Sequence, residues 1–563
     1  MSDMNRKPIR ACTNCVRAKA KCSPGVPERC DRCTRTNKEC VPSPPVRKRR
    51  AARISKNSQV QKLEERIDGL VVLLQSAINP SSTSSTVEES QSSDTRLRSL
   101  LPEVLPRRHT AVNTVLINRQ PSLSPASLQL LDPTDAEQTL DRFRNVMLPN
   151  LPFIVLSPSL SAQDLRQENP LLWMSIMAVA SSRPTQQSAL SEEARAIFAR
   201  EAYVAGSRSL DFLWAVLVFV TWDRFHTYGK CPSMALVHLA VAIMYDLALD
   251  KPLSFDAGLG LMYDVKGMKK SSVAPRAPGL KEKRAVLGCF LVGTVRSMQG
   301  KGESLKWTPI FDWYLRELEE QKEAPSDLIL VQLVKLRLVT ENATEYLALG
   351  TDDGIEPTAG PDATAVLKSL ESQLRTVKSQ IPSDLLNNQT ILLELHNTEA
   401  TIHQMAFKSA DHPFSLHANH RFACLYACMQ GVKSWIDTFL AIAPGNYVGF
   451  SALTHNGKMR CLLNICRLAI CEHPEWDSSL LHGSINVSWA LEETAKRMEQ
   501  AREAAGMEAG DSSVDMHALL AERVRGMKSF WDTMTTTVPT QDLGFMDELG
   551  NFSEEFLGFW DWA

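Results

Sequence analysis

The residues with the clearest chemistry lie between Ala11 and Cys40. Six cysteines fall there as Cys12-x2-Cys15-x6-Cys22-x7-Cys30-x2-Cys33-x6-Cys40. The unit C-x2-C-x6-C thus occurs twice, separated by seven residues that include Pro24, Gly25 and Pro27. Two thiolates three residues apart at the start of a helical turn point the same way, so each C-x2-C pair can grip one zinc ion. Two tetrahedral Zn2+ ions need eight sulfur contacts and only six cysteines are present, so two sulfurs are shared, and the internal symmetry gives that role to Cys12 and Cys30. No histidine precedes His109, which removes a Cys/His finger. Six thiolates and two dications leave a net −2, over-compensated by Arg10, Arg17, Lys19, Lys21, Arg29, Arg32, Arg35 and Lys38. Two other arrangements compete. Disulfides fit poorly with thirteen cysteines spread through a large chain whose start has no secretory pattern. A single four-cysteine site of Cys12, Cys15, Cys30 and Cys33 leaves Cys22 and Cys40 unexplained at matching offsets.

These residues resemble the binuclear zinc cluster of fungal transcription factors. That family's usual run after the second cysteine is Arg-x-Arg-Lys-x-Lys-Cys, and here it reads Val16-Arg17-Ala18-Lys19-Ala20-Lys21-Cys22. Lys19 and Lys21 match, Val16 and Ala18 replace basic positions, and Arg17 is basic one place over. The resemblance implies that Lys19, near the end of the first short helix, reaches base edges in the major groove of double-stranded DNA, commonly at a CGG-type triplet. A lysine donor suits the O6 and N7 acceptors of guanine. Arg17 and Lys21 are the accompanying DNA contacts.

The elements that must present this module follow from charge and patterning. The formal net charge of −2 hides an asymmetry: residues 1–56 are heavily basic, whereas the last 23 residues hold six acids and no Lys or Arg. Such a chain holds nucleic acid with one arm and offers the other to protein partners. The first ten residues, MSDMNRKPIR, lack an apolar signal core, and the longest strongly apolar run, Phe212 to Trp222, is far short of the ~20 residues that span a bilayer. The expectation is an intracellular, soluble protein with no membrane partner, its seven remaining cysteines (Cys231 to Cys471) reduced in a core.

The expected organisation is mainly α. Residues 8–45 form the zinc cluster, and 46–57 a basic linker in which Arg47, Lys48, Arg49 and Arg50 seek phosphates and double as a nuclear import signal. From 58 to 79, Val60, Leu63, Ile67, Leu70 and Leu74 recur at steps of three and four behind a Ser58-x-x-Gln61 capping box. That seam predicts a short parallel coiled coil and a homodimer. The alternative packs the same stripe on the rest of its own chain. Residues 80–133 include SSTSSTVEESQSSDT, too polar to fold, and form a disordered or transitional linker.

Residues 134–535 read as helix after helix, a large all-α domain. Helical patterns cover Asp135–Leu148, Leu171–Ala180 behind an Asn169 cap and Pro170, Ser191–Gly206, Leu210–Trp222 and Met234–Leu249. This region resembles the fungal-specific transcription factor domain, the middle homology region, through Ser209–Trp222, Ala240–Leu249 and Glu282–Pro309. In that family the domain is regulatory. The motifs G-x-x-x-x-G-K-[ST], G-x-S-x-G and H-E-x-x-H are missing, so no enzyme is expected. His417, His420, Cys424 and Cys428 share helical spacing, but one line of residues does not surround a tetrahedral ion, and buried thiols explain them better.

In residues 541–563, Phe545, Met546, Leu549, Phe552, Phe556, Leu557, Phe559, Trp560 and Trp562 are interleaved with six acids. Such alternation keeps aromatics solvated until a partner groove accepts them, the pattern of a segment that recruits transcriptional co-activators. The alternative is a helix docked on the chain's own core. The sequence as a whole points to a nuclear, sequence-specific DNA-binding activator of a pathway-specific gene set, secondary metabolism being one such set. A zinc-dependent protein- or RNA-binding adaptor, or a repressor, is the rival reading.

Overall fold

Prolines at first helical turns and long apolar runs set the helix boundaries through most of this chain. The computed structural model describes residues 12–17, 22–23, 29–41, 132–222, 233–251, 277–297, 305–348, 362–408, 415–471, 476, 478–508 and 515–537. The described residues contain helices and no strands, and the chain divides into two units, residues 1–113 and 114–563. The first unit holds two five-residue helices, α1 (Thr13–Arg17) and α2 (Asp31–Arg35), each opening directly after the first cysteine of its half. The basic linker, the expected coiled coil with Val60, Leu63, Ile67, Leu70 and Leu74, and the tail 541–563 lie outside the described residues.

The second unit is a helical domain. It begins with α3 (Pro133–Arg142), which runs into a π turn at Phe143–Met147 and a 3-10 turn at Leu148–Asn150. Pro149 lacks the N–H that a continuing α-helix needs, so the expected single helix to Leu148 changes type before its end. Next come α4 (Ala162–Glu168), α5 (Pro170–Ala180), α6 (Pro184–Ala199), α7 (Leu210–Trp222) and α8 (Ser233–Asp246). Helix α6 starts a full two turns before the expected Ser191, because Pro184 supplies a first-turn residue. Its end winds as a π turn to Gly206, whose φ of +62° closes it. Helix α8 stops three residues before the expected Leu249: Ala248 adopts φ +55°, and the Leu249 carbonyl accepts from the Tyr314 hydroxyl at 2.7 Å.

The remaining helices are α9 (Leu280–Ser297), α10 (Pro309–Gln321), α11 (Pro325–Ala348), α12 (Ala363–Ser379) and α13 (Gln389–Ile402). They are followed by α14 (Ala418–Ala441), α15 (Ala452–Ile470), α16 (Ser478–Ser484), α17 (Val487–Ala504) and α18 (Met516–Thr537). One continuous apolar core joins them. Helices α5 and α7 pack together near its amino-terminal end, and every residue from Phe212 to Trp222 is buried. Helix α13 packs against α11, α14 and α15, α17 pairs with α18, and α9 touches both α7 and α11.

Two long-range contacts fasten this domain. Asn169 occupies the cap position of α5, but its side chain makes no capping bond. Instead the Asp211 carboxylate, from the first turn of α7, accepts from the Leu171 and Leu172 N–H groups at 3.1 and 2.9 Å. Burial raises the Asp211 carboxyl to about 6, against the pull of those two N–H groups. The second contact is at Trp222, whose indole N–H donates to the Gly449 carbonyl at 3.1 Å while its ring meets Phe143 edge-on at 5.2 Å. Gly449 lies so close to Val146 that a Cβ there would fall inside the Val146 carbonyl oxygen. No described helix is long and apolar enough to cross a membrane.

Candidate metal centre

The centre is built from the starts of two short helices. Cys12 directly precedes α1 and Cys30 is the N-cap of α2, its sulfur accepting from the Cys33 N–H at 3.4 Å. The free N–H groups of a first helical turn favour an anion there. Accordingly the Cys15 N–H draws the Cys12 thiol down to about 6, and the Cys33 N–H draws the Cys30 thiol down as well. Burial pushes the Cys15 thiol up, and the Cys33 thiol up to about 12. So the first cysteine of each half is the one whose thiol is drawn down by a backbone N–H.

Across the two halves the sulfurs converge. Cys12 Sγ lies 3.7 Å from Cys30 Sγ and 3.6 Å from Cys33 Sγ, and Cys15 Sγ lies 3.7 Å from Cys30 Sγ. Those separations are far beyond the ~2.05 Å of a disulfide, and all six cysteines are free thiols. They match instead the edge of about 3.8 Å that a tetrahedron with ~2.3 Å Zn–S bonds requires. Cys12, Cys15, Cys30 and Cys33 are buried, and their sulfurs lie within 4.8 Å of one another, so this group can hold metal ions.

The two outer cysteines repeat each other. The Cys12 N–H donates to Cys22 Sγ at 3.5 Å and the Cys30 N–H to Cys40 Sγ at 3.4 Å, the same offset in each half. Cys22 and Cys40 are partly buried and pack against the group of Cys12, Cys15, Cys30 and Cys33. Backbone bonds tie the halves: Thr13 N–H to the Val41 carbonyl at 3.0 Å and Asp31 N–H to the Ser23 carbonyl at 3.2 Å. Asn14 donates to the Glu39 carbonyl at 2.8 Å, a strap the cysteine spacing does not announce. Arg17 is described and exposed at the end of α1; Lys19, Lys21, Arg47, Lys48, Arg49 and Arg50 lie outside the described residues.

Elsewhere sulfur behaves differently. Cys424 and Cys428 lie buried on α14, where burial pushes the Cys424 thiol up to about 12 and the Cys428 thiol up as well. The Cys428 thiol donates to the Ala400 carbonyl of α13 at 3.7 Å.

Fold and site together define a four-cysteine centre able to hold metal and, as a separate unit, a mainly helical domain. Comparison with known proteins narrows the class. The chain is 28% identical to the transcription factor opdL of Penicillium oxalicum over 98% of its own length and 97% of that protein's. It is 27% identical to the transcription factor himD of Aspergillus japonicus over 79% of its length and 70% of that protein's. A transcription factor of Aspergillus terreus is 22% identical over 70% of this chain and 60% of its own length. The family model described as the ATEG07667_C C-terminal domain matches residues 444–553, from the turn before α15 to beyond α18. No solved structure matches. With the cysteine cluster, these matches make the chain similar to fungal proteins named as transcription factors.

Proposed function

We propose that the chain is a nuclear, sequence-specific DNA-binding protein that activates a pathway-specific gene set, secondary metabolism being the candidate class. Its recognition module holds two Zn2+ ions through Cys12, Cys15, Cys22, Cys30, Cys33 and Cys40. The observation that carries this reading is the buried group of converging sulfurs, Cys12, Cys15, Cys30 and Cys33, with Cys22 and Cys40 placed alike against it. Six sulfurs serve two tetrahedral ions when two are shared, and the matching positions of the two halves give that role to Cys12 and Cys30. Bound zinc supplies rigidity, fixing α1 and α2 so that the module fits a groove. Metal content of the purified full-length chain tests the stoichiometry: two zinc ions per chain are expected, and one ion overturns the bridging assignment.

On DNA, Lys19 reads the bases of a CGG-like triplet, while Arg17, Lys21, Arg47, Lys48, Arg49 and Arg50 neutralise phosphates. Lys19→Ala is expected to weaken binding to a selected duplex by about 1–3 kcal/mol and to relax its base preference. Arg49→Ala weakens all duplexes alike and lowers the salt slope by about one. Equal loss on specific and random duplexes for Lys19→Ala removes the base-reading role. In this reading Val60, Leu63, Ile67, Leu70 and Leu74 pair two chains, and residues 541–563 recruit co-activators. Residues 541–563 fused to a neutral DNA-binding domain raise reporter output if the chain activates, and leave it unchanged if it represses.

A further inference from the structure

A cavity of about 290 Å3 lies in the amino-terminal part of the helical domain, beneath residues 153–160 and against α4, the start of α5, α7 and α9. Its walls are mainly apolar, with Phe153, Ile154, Leu165 and Leu172 all buried around it. Phe153 seats directly on Gly288 of α9, where a Cβ would come within 2.9 Å of it, so the covering segment is held against that helix by ring-on-backbone contact.

Two donors interrupt the apolar lining. Trp214 of α7 is 8% exposed, and its indole N–H is buried without a hydrogen bond. Arg284 of α9 is 1% exposed; its Nε and Nη2 donate to Asp327 and Glu323 at 2.7–3.0 Å, and its Nη1 makes no hydrogen bond among the described residues. The Trp214 indole is a buried donor of the kind that folded proteins almost always satisfy by protein, by water or by a ligand. A space of this size holds several waters, more than two donors need, and apolar walls hold the rest poorly. Such a space, apolar with a few convergent polar groups, has the composition of a small-molecule site. Lys281, one turn before Arg284 and exposed, also lines it, against a single carboxylate from Glu168.

We propose that this cavity binds a small organic acid. Its apolar body packs on Phe153, Leu165 and Leu172, its carboxylate oxygens accept from Arg284 Nη1 and the Trp214 indole, and Lys281 adds a cation at the edge. Asp327, fully buried and bonded to Arg284 through two nitrogens, holds the guanidinium in place and leaves the Nη1 edge for a second acceptor. This inference is independent of the DNA-binding reading.

The test uses the full-length chain and three probes of one shape: 3-phenylpropanoate, 3-phenylpropanamide and 3-phenylpropanol. Probes this small bind with dissociation constants near the millimolar range, so calorimetric titration and thermal shift run to roughly 10 mM. The acid is expected to bind saturably and raise the melting temperature, with the amide and alcohol at least about tenfold weaker. Trp214→Phe, which keeps the ring and removes the donor, weakens the acid about fivefold. Val155→Trp, placed at an exposed lining position, blocks it while leaving the unliganded melting temperature unchanged. Lys281→Ala lowers affinity for the acid and not for the alcohol. Equal binding of all three probes, no saturable binding by any, or full binding by Val155→Trp overturns the proposal.

Discussion

The same residue type does opposite work in the two units of this chain. In the amino-terminal unit cysteine sulfurs sit at helix starts, face one another at 3.6–3.7 Å, and include two whose thiols are drawn down. In the helical domain Cys289, Cys428 and Cys461 are fully enclosed, and Cys466 nearly so; burial pushes each thiol up, Cys466 to about 11. A cysteine is a ligand where backbone N–H groups favour its anion and other sulfurs surround it. It is a small apolar residue where neither holds. The two units accordingly draw stability from different sources. The first has a core of four buried cysteines with Cys22 and Cys40 packed against them; the second has an apolar core running from Ala136 to Trp531.

Metal removal separates the two most sharply. A chelator is expected to unfold the cysteine module, since structural zinc in small modules contributes about 10–16 kcal/mol, and to leave the melting of the helical domain where it was. Specific duplex binding and far-ultraviolet circular dichroism, recorded on the same sample, report the two units. A helical domain that melts earlier after chelation breaks the separation.

The reverse experiment is Gly449→Ala. Its Cβ collides with the Val146 carbonyl and disturbs the Trp222 bond, so the helical domain loses about 2–4 kcal/mol while zinc content holds. Denaturant titration reads the loss, and an unchanged midpoint contradicts the close packing at that glycine.

Lys458 sharpens the comparison through a buried charge instead of a buried sulfur. It is 1% exposed with its Nζ 3.2 Å from Met498 Sδ, and burial draws its ammonium down to about 7. In the unfolded chain a lysine keeps its proton to roughly pH 10. Between about pH 7 and 10 the unfolded chain thus holds one more proton than the folded one, and stability from this side chain rises with pH across that window. Lys458→Met is expected to add about 1–3 kcal/mol at pH 7 and to flatten that rise. Melting temperatures at pH 7 and 9 that differ equally in the variant and the parent contradict it.

The smallest expected effect is at Asp211. Asp211→Ala strips the cap from α5 and costs about 1 kcal/mol at pH 7. With its carboxyl raised to about 6, Asp211 takes up a proton in the folded state between roughly pH 4 and 6, and its share of stability is lost as pH rises through that window. The variant's deficit is therefore larger at pH 4 than at pH 7 if the raised carboxyl is correct, and constant if it is not.

How much was legible follows the reach of each interaction. Leu210–Trp222 was readable to the residue, because thirteen nearly all-apolar positions between a polar loop and the domain core admit one solution. The ends of α6 and α8 were not. Pro184 is an equally good loop residue until α5 packs beside it, and Ala248 takes its left-handed turn where Leu249 meets Tyr314, 65 residues away. At the cysteine centre the six cysteines were visible as a repeat, but the Asn14 strap was not, since an asparagine inside a five-residue helix carries no signal of its own.

By itself the sequence determined which residues could act locally: the twice-repeated cysteine spacing, the proline-led helix starts, and the division between a basic start and an apolar middle. These are short-range properties, settled within one or two turns of chain. Only the tertiary structure decided that Asp211 caps a helix 40 residues before it, that Arg284 spends two of its nitrogens on Asp327 and Glu323 and keeps the third, and that Gly449 must be glycine to admit Val146. Those outcomes depend on which helix faces come together when the apolar core closes, and no local pattern encodes the partner across a packed interface.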